Sequence, residues 1–441
     1  MSTEELNANV RHPGDVIRGR AMSFAQIAVV VLCVIVNTVD GFDVLAISFA
    51  APAIAREWGL GPESVCVLLS VGLAGIGAGV LISSFIADAI GRRPVVLAGT
   101  VLIGTGMAAS AFVNSVETMA LCRLLSGMGI GCMVSTLGTL SIEYSAARWR
   151  TLAVAAVVLG TPLGGTLGGP VAVYLLGEYG WRAIFLFGAS LSVVLFPILL
   201  IWLPESIAFL ADRQPPNALA RINSLATRFS LPALSALPAL GEKAASGWRD
   251  LTRAPLLKVT LWLCSAYFCY MFSFYFIQSW ATSLVTKFGL TDSAGITTSA
   301  LMNMAGLVGG VLTGYVASRM SLPKLLRVLM LIMAVLIAVF GFLPAKLSII
   351  YAASLALGFF MWSASAAVYT CFALCYPPRL RASGIGLVVT AGRIGSIIGP
   401  YAAGRLLAEN MSISTVTTLL AVPAVIAALM FGLAKPDATG D

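Results

Sequence analysis

The sequence "VDGFDV" at residues 39–44 places two carboxylates, Asp40 and Asp43, inside one of the most apolar runs of the chain. On a helix, residues three apart lie on one face, about a turn from each other. In apolar surroundings the two acids cannot easily both be ionised, because burial and mutual repulsion each favour the protonated form. This pattern indicates a proton carrier. The alternative is a structural pair satisfied by backbone groups at a helix end or by an arginine.

Two arginines also lie within apolar runs. Arg123 is followed by Gly127 and Gly131, which permit close helix packing, and its permanent charge makes it the expected counter-ion of the aspartates. The alternative for Arg123 is a head group that extends to the nearest polar surface. Arg393, in "TAGRIGSIIGP", is the candidate for binding a substrate carboxylate, since a planar guanidinium binds that group through two hydrogen bonds. An internal ion pair or the capping of backbone carbonyls is the alternative for Arg393.

The composition is that of a membrane protein. Of the 441 residues, 59% are hydrophobic and 10% are charged, whereas soluble domains carry about 25% charged residues. Runs long enough to span a bilayer recur near residues 25–50, 62–86, 94–113, 117–142, 151–176, 182–203, 256–285, 295–317, 325–343, 347–374, 382–407 and 412–433. We therefore predict an all-α membrane protein with one transmembrane helix for each of these twelve runs.

The net charge of +8 follows membrane topology and does not indicate a nucleic-acid partner. If the N-terminus is cytoplasmic, most of the 27 Lys and Arg residues fall on that side. The other side receives only Arg56, Arg182, Lys287, Lys346 and Arg405, which is the positive-inside pattern with both termini cytoplasmic. The 8 cysteines show no Cys-x-x-Cys pattern and are interpreted as packing residues, so we expect no metal and no cofactor.

This topology distinguishes the two aspartates. Arg123 lies about two turns from the outer end of the fourth run, and Asp43 lies one turn further outward than Asp40. We therefore expect Asp43 to pair with Arg123 and Asp40 to take up and release the proton. The lone histidine, His12, precedes the first run, so protons that cross the membrane interior are expected to move on carboxylates.

A polar segment rich in Pro, Ser, Arg and Ala divides the runs six and six. We predict cytoplasmic tails at residues 1–24 and 435–441, six-helix bundles at 25–203 and 256–434, and a cytoplasmic linker at 204–255. The bundles are related by a repeat, because "ARWRTLA" from residue 147 corresponds to "PRLRASG" from residue 378. Two parallel six-helix repeats are typical of transporters whose halves rock about a site near the bilayer midplane.

Several motifs carry a family resemblance. "SSFIADAIGRR" resembles the signature between the second and third helices of the major facilitator superfamily. "CRLLSGMGIG" and "GTPLGGTLGGP" resemble its fourth-helix and antiporter-type fifth-helix signatures. More narrowly, "DGFDVLAISFAAPAIAREWGL", "IEYSAARWR", "YGWRAIF", "WLPES" and "YPPRLRASGIGLVVTAGRIG" together resemble the aromatic acid:proton symporter family.

The resemblance implies a secondary transporter of a bacterial inner membrane that imports an aromatic carboxylate, such as a hydroxybenzoate, with protons by alternating access. The resemblance also implies that the motif of Asp40 and Asp43 acts in proton transport. We expect a monomer in the lipid bilayer and no enzyme, because no nucleophile with its base and no catalytic domain is evident in the sequence. The alternative is a proton-driven exporter of drugs or aromatic compounds, which the fifth-helix glycine-proline run favours.

A ring-shaped substrate needs aromatic walls and a few polar contacts. Most aromatic residues of transmembrane helices pack or anchor at the interface, and that is the alternative role for these side chains. Asn303 is the candidate partner of a substrate hydroxyl. The candidates for the substrate site besides Arg393 are Tyr270, Phe274, Gln278, Asn303, Trp362 and Tyr369.

Charged residues at the cytoplasmic ends of the runs are candidates for gating, since the resemblance implies state-dependent contacts of the loop between the second and third helices. We expect Glu143 to pair across this face with Arg148, Arg150 or Arg381; a solvated helix-end charge is the alternative. The gating candidates are Asp88, Gly91, Arg92, Arg93, Glu143, Arg148, Arg150 and Arg381.

Overall fold

The computed structural model describes residues 22–229, 233–237, 256–317, 319–376 and 380–433. Within these ranges it is all-helical, and 12 helices are long and apolar enough to cross a membrane, which confirms the predicted fold class. The predicted tails outside 22–433 and most of the linker after residue 229 lie outside the described residues. The helices are α1 (Phe24–Trp58), α2 (Pro62–Ile90), α3 (Arg92–Ser110), α4 (Val116–Glu143), α5 (Arg150–Tyr179), α6 (Trp181–Trp202), α7 (Ile207–Arg213), α8 (Ala218–Arg228), α9 (Leu256–Lys287), α10 (Asp292–Ala317), α11 (Leu322–Phe340), α12 (Leu347–Cys375), α13 (Arg381–Ala408) and α14 (Ile413–Leu433).

Within each half, short connections join successive membrane helices, so consecutive helices run in opposite directions. We call the side of the bundle where α1 begins and α14 ends the termini side, and the side where α1 ends and α2 begins the far side. The first half comprises α1 to α6 and the second half α9 to α14. The two halves pack against each other through α2 with α13 and α5 with α10.

The first membrane helix is longer than a bilayer requires. α1 has 35 residues, whereas about 20 suffice to cross the hydrocarbon core. At its start, Ser23 and Gln26 form a capping box, and at its end Gly59 adopts a left-handed conformation with φ 64°. The helix continues past residue 50, where the sequence predicted its end, because Ala51 and Ile54 are still buried. The extra turns bring Arg56 to the far side.

Close approach of α1 and α5 depends on glycine. A Cβ atom at Gly41 would collide with the backbone carbonyl oxygen of Thr161, and a Cβ atom at Gly164 would collide with that of Thr38. Small residues let helix backbones come together in membranes, where van der Waals packing drives association. The glycines of the fifth-helix run therefore have a packing role that is independent of the direction of transport.

Two ion pairs connect the halves on the far side. Arg56 of α1 binds Asp292 of α10 with both terminal nitrogens, Nη1 lying 3.0 Å from Oδ1. Arg405 of α13 lies 2.6 Å from Glu63 of α2. We call these contacts the far-side ion pairs. Beside them, a Cβ atom at Gly404 would collide with the side chain of Cys66, so α2 and α13 are in contact there as well.

The described part of the linker is folded onto the first half. Phe209 and Leu210 of α7 pack with Ile222 of α8 in a small apolar cluster. Arg228, the last residue of α8, donates a hydrogen bond of 2.9 Å to the carbonyl oxygen of Trp202 at the end of α6. The linker helices α7 and α8 are therefore attached to the six-helix bundle that precedes them.

Candidate functional site

A buried ion pair joins α1 and α4. Arg123 Nη2 lies 2.7 Å from Asp43 Oδ1, and the side chains are only 2% and 1% exposed. The guanidinium also lies 5.5 Å from the ring centroid of Phe185 and 3.1 Å from the sulfur of Met107. Little water reaches either charge, so each depends on the other for stabilisation. This is the pairing that topology predicted, while the role of the pair in proton coupling stays a prediction.

Asp40, one turn before Asp43, has a different environment. It is 3% exposed, and its Oδ2 atom is buried without a hydrogen-bond partner. A buried carboxylate oxygen without a partner is costly when it carries charge and far less so when it is protonated. The Oδ2 atom of Asp43 is buried without a partner as well, so the two aspartates differ in that Asp43 is held by a cation through Oδ1 and Asp40 is not.

A small cavity, with room for about one water molecule, lies between the halves next to this ion pair. Residues of α1, α2 and α4 line one side, and residues of α9 line the other. Its polar lining consists of Ser48 and Arg123 from the first half and Tyr275, Gln278 and Ser279 from the second. The cavity therefore has a permanent cation on one wall and neutral hydrogen-bonding groups on the opposite wall.

Gln278 and Asn303, both predicted for the substrate site, are hydrogen-bonded to each other. Gln278 Nε2 donates to Asn303 Oδ1 over 3.2 Å, and Asn303 Nδ2 donates to the carbonyl oxygen of Ser299 over 2.8 Å. Asn303 is fully buried and is not among the cavity-lining residues, whereas Gln278 is. The structure thus places Gln278 in contact with the cavity and Asn303 in contact with Gln278.

Arg393 contacts the cavity lining through Tyr275. Its Nη1 atom lies 3.4 Å from the Tyr275 hydroxyl, and Arg393 itself is half-buried and does not line the cavity. In the described part of the chain no carboxylate lies within ion-pair distance of Arg393, in contrast to Arg123. Its assignment to the substrate carboxylate remains a prediction. Tyr275, which links it to the cavity, was not among the sequence candidates, because an aromatic-rich helix gives no periodic signal that singles out one tyrosine.

The predicted aromatic residues divide into three environments. The Tyr270 hydroxyl is buried and donates to the carbonyl oxygen of Met361 over 2.8 Å. Phe274 packs edge to face against Trp362 at 5.3 Å between ring centroids, and the indole Nε1 of Trp362 has no partner. Tyr369 is 40% exposed and its hydroxyl lies 3.3 Å from that of Tyr267. None of these four residues lines the cavity. Their roles in substrate binding stay predictions.

Three of the gating candidates, Gly91, Arg92 and Arg93, lie against Glu205, which was not itself a candidate. Glu205, from the quoted "WLPES", accepts hydrogen bonds at Oε1 from the backbone N–H groups of Arg92 (2.8 Å) and Arg93 (3.2 Å). It thereby caps α3, whose preceding residue Gly91 has no side chain to do so. Gly91 has φ 103°, and a Cβ atom there would collide with the Glu205 carboxylate. The predicted loop is therefore a single glycine between two helices, and Asp88 is an exposed residue inside α2.

Glu143 has an ion-pair partner that was not among the three predicted arginines. Glu143 forms its ion pair with Arg92, at 2.7 Å from Oε1 to Nη1, and its Oε2 accepts a hydrogen bond of 2.5 Å from the Ser206 hydroxyl. Arg148 lies against the ring of Trp149, and Arg150 bonds the carbonyl oxygen of Ser145. The side chain of Arg381 lies outside the described residues. The start of α3 is nearer to Glu143 than the sequence suggested because α3 and α4 pack against each other.

Comparisons with known proteins agree with this architecture. The sequence profile of the Major Facilitator Superfamily matches residues 33–400. The gallate transporter of Pseudomonas putida is 30% identical over 423 residues, which is 94% of this chain and 93% of the relative. The 4-hydroxybenzoate transporter PcaK of the same species is 29% identical over 426 residues, 93% of each chain.

Solved structures share the fold. The xylose transporter XylE from E. coli, in a partially occluded inward open conformation, superposes with a TM-score of 0.74 at 16% identity, over 92% of this chain and 97% of that one. A bacterial homologue of the human lysosomal transporter Spinster gives a TM-score of 0.73 at 17% identity, over 94% and 97%. This multi-pass membrane protein is therefore a transporter and no enzyme, and it belongs to the Major Facilitator Superfamily, in the aromatic acid:proton symporter family.

Proposed function

We propose that the protein imports a hydroxybenzoate-like aromatic carboxylate together with protons, by alternating access, across a bacterial inner membrane. The observation that carries the proposal is the buried Asp43–Arg123 ion pair beside an unpaired Asp40, at a cavity between two halves. The names of its relatives, which include gallate, 4-hydroxybenzoate and benzoate transporters, support the substrate class. We propose that the protein acts as a monomer.

In this proposal Asp40 carries the proton. It is buried, its Oδ2 has no partner, and it lies one turn from an acid that is already committed to Arg123. Protonation of Asp40 removes a charge that has no ion-pair partner in contact with it from a medium of low dielectric constant, and rehydration of the site on either side of the membrane allows release of the proton. The protonation state of Asp40 is thereby coupled to the side of the membrane on which the site is open.

The positive-inside distribution of Lys and Arg supports a cytoplasmic termini side. With that orientation, the far-side ion pairs lie on the outer side and hold the halves together there. The conformation described would then be closed to the outside. Alternating access requires these contacts to break when the site opens outward.

We propose that Arg393 binds the substrate carboxylate, reaching it past the Tyr275 hydroxyl. Arg393→Lys retains the charge but loses the planar guanidinium, so we expect the affinity for an aromatic acid to fall about tenfold with unchanged abundance of the protein. Binding to purified protein, measured by thermal shift, checks this. In Arg393→Gln, neutral amide analogues should lose their disadvantage; unchanged selectivity for the acid would assign the carboxylate to Arg123.

The proposed function is tested by uptake of labelled 4-hydroxybenzoate and gallate into vesicles that contain the purified protein. Because neutral aromatic acids cross bilayers unaided, protein-free vesicles provide the background and only the saturable rate is counted. An alkaline interior should drive accumulation, about tenfold per pH unit for one proton per monoanion. Saturable accumulation driven instead by an acidic interior would indicate proton-driven export, and uptake independent of the gradient would exclude symport.

A further inference from the structure

We propose that Gln278 recognises a hydroxyl group on the substrate ring, and that Asn303 serves to hold the Gln278 amide in the required orientation. The inference rests on the proposed function and narrows its substrate class to hydroxylated aromatic acids. It also reassigns the hydroxyl contact that the sequence analysis gave to Asn303.

The orientation of the Asn303 amide is fixed by a backbone carbonyl. Asn303 lies 2.8 Å from the Ser299 carbonyl oxygen, and a carbonyl oxygen can only accept a hydrogen bond, so the Asn303 amino group must face it. The amide oxygen of Asn303 then points to Gln278. Both groups of the Asn303 amide therefore have a partner, and Asn303 is fully buried outside the cavity lining, where it is not placed to contact a substrate.

The orientation of Gln278 follows from that of Asn303. Its amide nitrogen lies 3.2 Å from the Asn303 oxygen, and the reverse orientation would bring two acceptor oxygens together. Gln278 Oε1 is thus presented as an acceptor on a residue that lines the cavity. This oxygen is buried and has no hydrogen-bond partner, and the residue is 5% exposed.

An acceptor in this position selects for a donor. A phenolic hydroxyl donates a hydrogen bond, whereas a methoxy group, a bare ring carbon and a carboxylate do not. The carboxylate of the substrate is repelled by an acceptor oxygen and attracted by the cation on the opposite wall, Arg123, or by Arg393 through Tyr275. The substrate is therefore oriented with its acid group away from Gln278 and a ring hydroxyl toward it.

The proposal is tested by thermal-shift affinity measurements on the purified full-length protein. The probes are benzoate, the three monohydroxybenzoates and the three corresponding methoxybenzoates. The hydroxyl isomer that binds best should bind about tenfold or more tightly than its methoxy counterpart, because a buried acceptor left unpaired is costly. Equal binding of the two members of that pair would overturn the proposal without any variant.

Two variants assign the effect to Gln278. Gln278→Met removes the acceptor while keeping a similar length, and should reduce the ratio between the hydroxyl and methoxy acids to about threefold or less. Ser283→Ala is the matched control, since it removes another buried and unpartnered polar atom of α9 that is outside the cavity lining. It should leave the ratio unchanged. A ratio retained in Gln278→Met would show that another group recognises the hydroxyl.

The positioning role of Asn303 has its own readout. In Asn303→Leu the Gln278 amide is released and can turn its amino group to the cavity, where it donates to a methoxy oxygen. Discrimination between hydroxyl and methoxy acids should then fall, while the affinity for benzoate changes by less than about threefold. Loss of affinity for all acids alike would indicate a merely structural role for Asn303.

An error in the proposed function would give a different result from an error in the assignment of Gln278. If the unmutated protein binds none of the acids, no aromatic carboxylate is the substrate, and the assignment of Gln278 falls with it. If it binds the acids but shows no preference for a hydroxyl, the proposed function stands and the inference about Gln278 fails.

Discussion

At the scale of single residues, two identical side chains one turn apart have opposite environments. Asp43 is bound by Arg123 at 2.7 Å through Oδ1, whereas Asp40 has no ion-pair partner among the described residues; the Oδ2 atom of each is buried without a hydrogen bond. We propose that the pair separates two tasks that a single acid would have to combine. One carboxylate joins two helices and balances a permanent cation, and in the proposed cycle the other changes its protonation state.

Replacing Asp40 should uncouple transport from protons. Asp40→Asn mimics the protonated acid, so we expect the variant to bind substrate and to exchange labelled for unlabelled substrate across vesicle membranes. Accumulation driven by a pH gradient should be lost, because no group at this position can release a proton. Saturable accumulation by Asp40→Asn under an imposed gradient would contradict the assignment.

Replacing Asp43 should instead destabilise the protein. Asp43→Asn leaves the Arg123 guanidinium buried without an anion, and breaking a buried pair in this way costs about 3–5 kcal/mol. We expect lower abundance and a lower melting temperature in detergent. The double variant Asp43→Asn/Arg123→Met removes both charges and should recover much of that stability; a double variant less stable than Asp43→Asn would argue against this account.

The sequence was sufficient to predict the Asp43–Arg123 pair, because both residues are charges in apolar helices whose depth can be counted from the helix ends. It was insufficient for Glu205, which bonds backbone groups of Arg92 and Arg93 more than a hundred residues away. A carboxylate that caps a distant helix has no local spacing signal. The ion pair of Glu143 with Arg92 likewise joins two helices and has no local spacing signal.

At the scale of helices, α1 is positioned by its contact with α5. Gly41 and Gly164 let the two backbones touch, and Asn37 donates to the Val157 carbonyl oxygen of α5 over 2.5 Å. These contacts place α1 so that Asp43 reaches Arg123 on α4. The helix boundaries predicted from the sequence were accurate where a polar loop followed the apolar run. The predicted end of α1 came too early, because its buried residues continue to Ile54.

A side chain at the contact between α1 and α5 should be poorly tolerated. In Gly164→Ala the new methyl group would collide with Thr38 backbone atoms, and overpacking of this kind costs about 1–3 kcal/mol. Gly177→Ala, on the same helix with no atom within 4 Å of the added Cβ, is the matched control and should be neutral. Melting temperatures of the two variants in detergent give the comparison, and equal values would contradict the packing argument.

At the scale of the whole molecule, the two halves meet over a limited set of contacts. α2 packs on α13 and α5 on α10, and the far-side ion pairs add charge contacts between the same halves. Arg56 is 68% exposed and Asp292 9% exposed, so the stabilisation by each ion pair is modest. Modest contacts suit an interface that must open and close in every transport cycle.

Removing the far-side ion pairs should shift the protein toward a state open on that side. In the double variant Arg56→Ala/Arg405→Ala we expect labelling of Cys66 by a membrane-impermeant maleimide to rise about fivefold, since the pairs together contribute on the order of 1 kcal/mol. The other cysteines are replaced by alanine in this experiment. Arg182→Ala, which breaks the ion pair with Glu57 within the first half at the same side, should leave labelling unchanged; a similar rise would assign the effect to general loosening.

The buried charges determine which combinations of proton and substrate leave the site without a net charge. With Asp40 and Asp43 ionised, the two carboxylates balance Arg123 and Arg393, and the empty site is electroneutral. With a proton on Asp40 and a monoanion bound, it is electroneutral again. A proton alone or an anion alone leaves one net charge in a medium of low dielectric constant, which is unfavourable. We therefore propose that the charge balance of these four side chains favours one proton for each monoanion and disfavours leak of either species by itself.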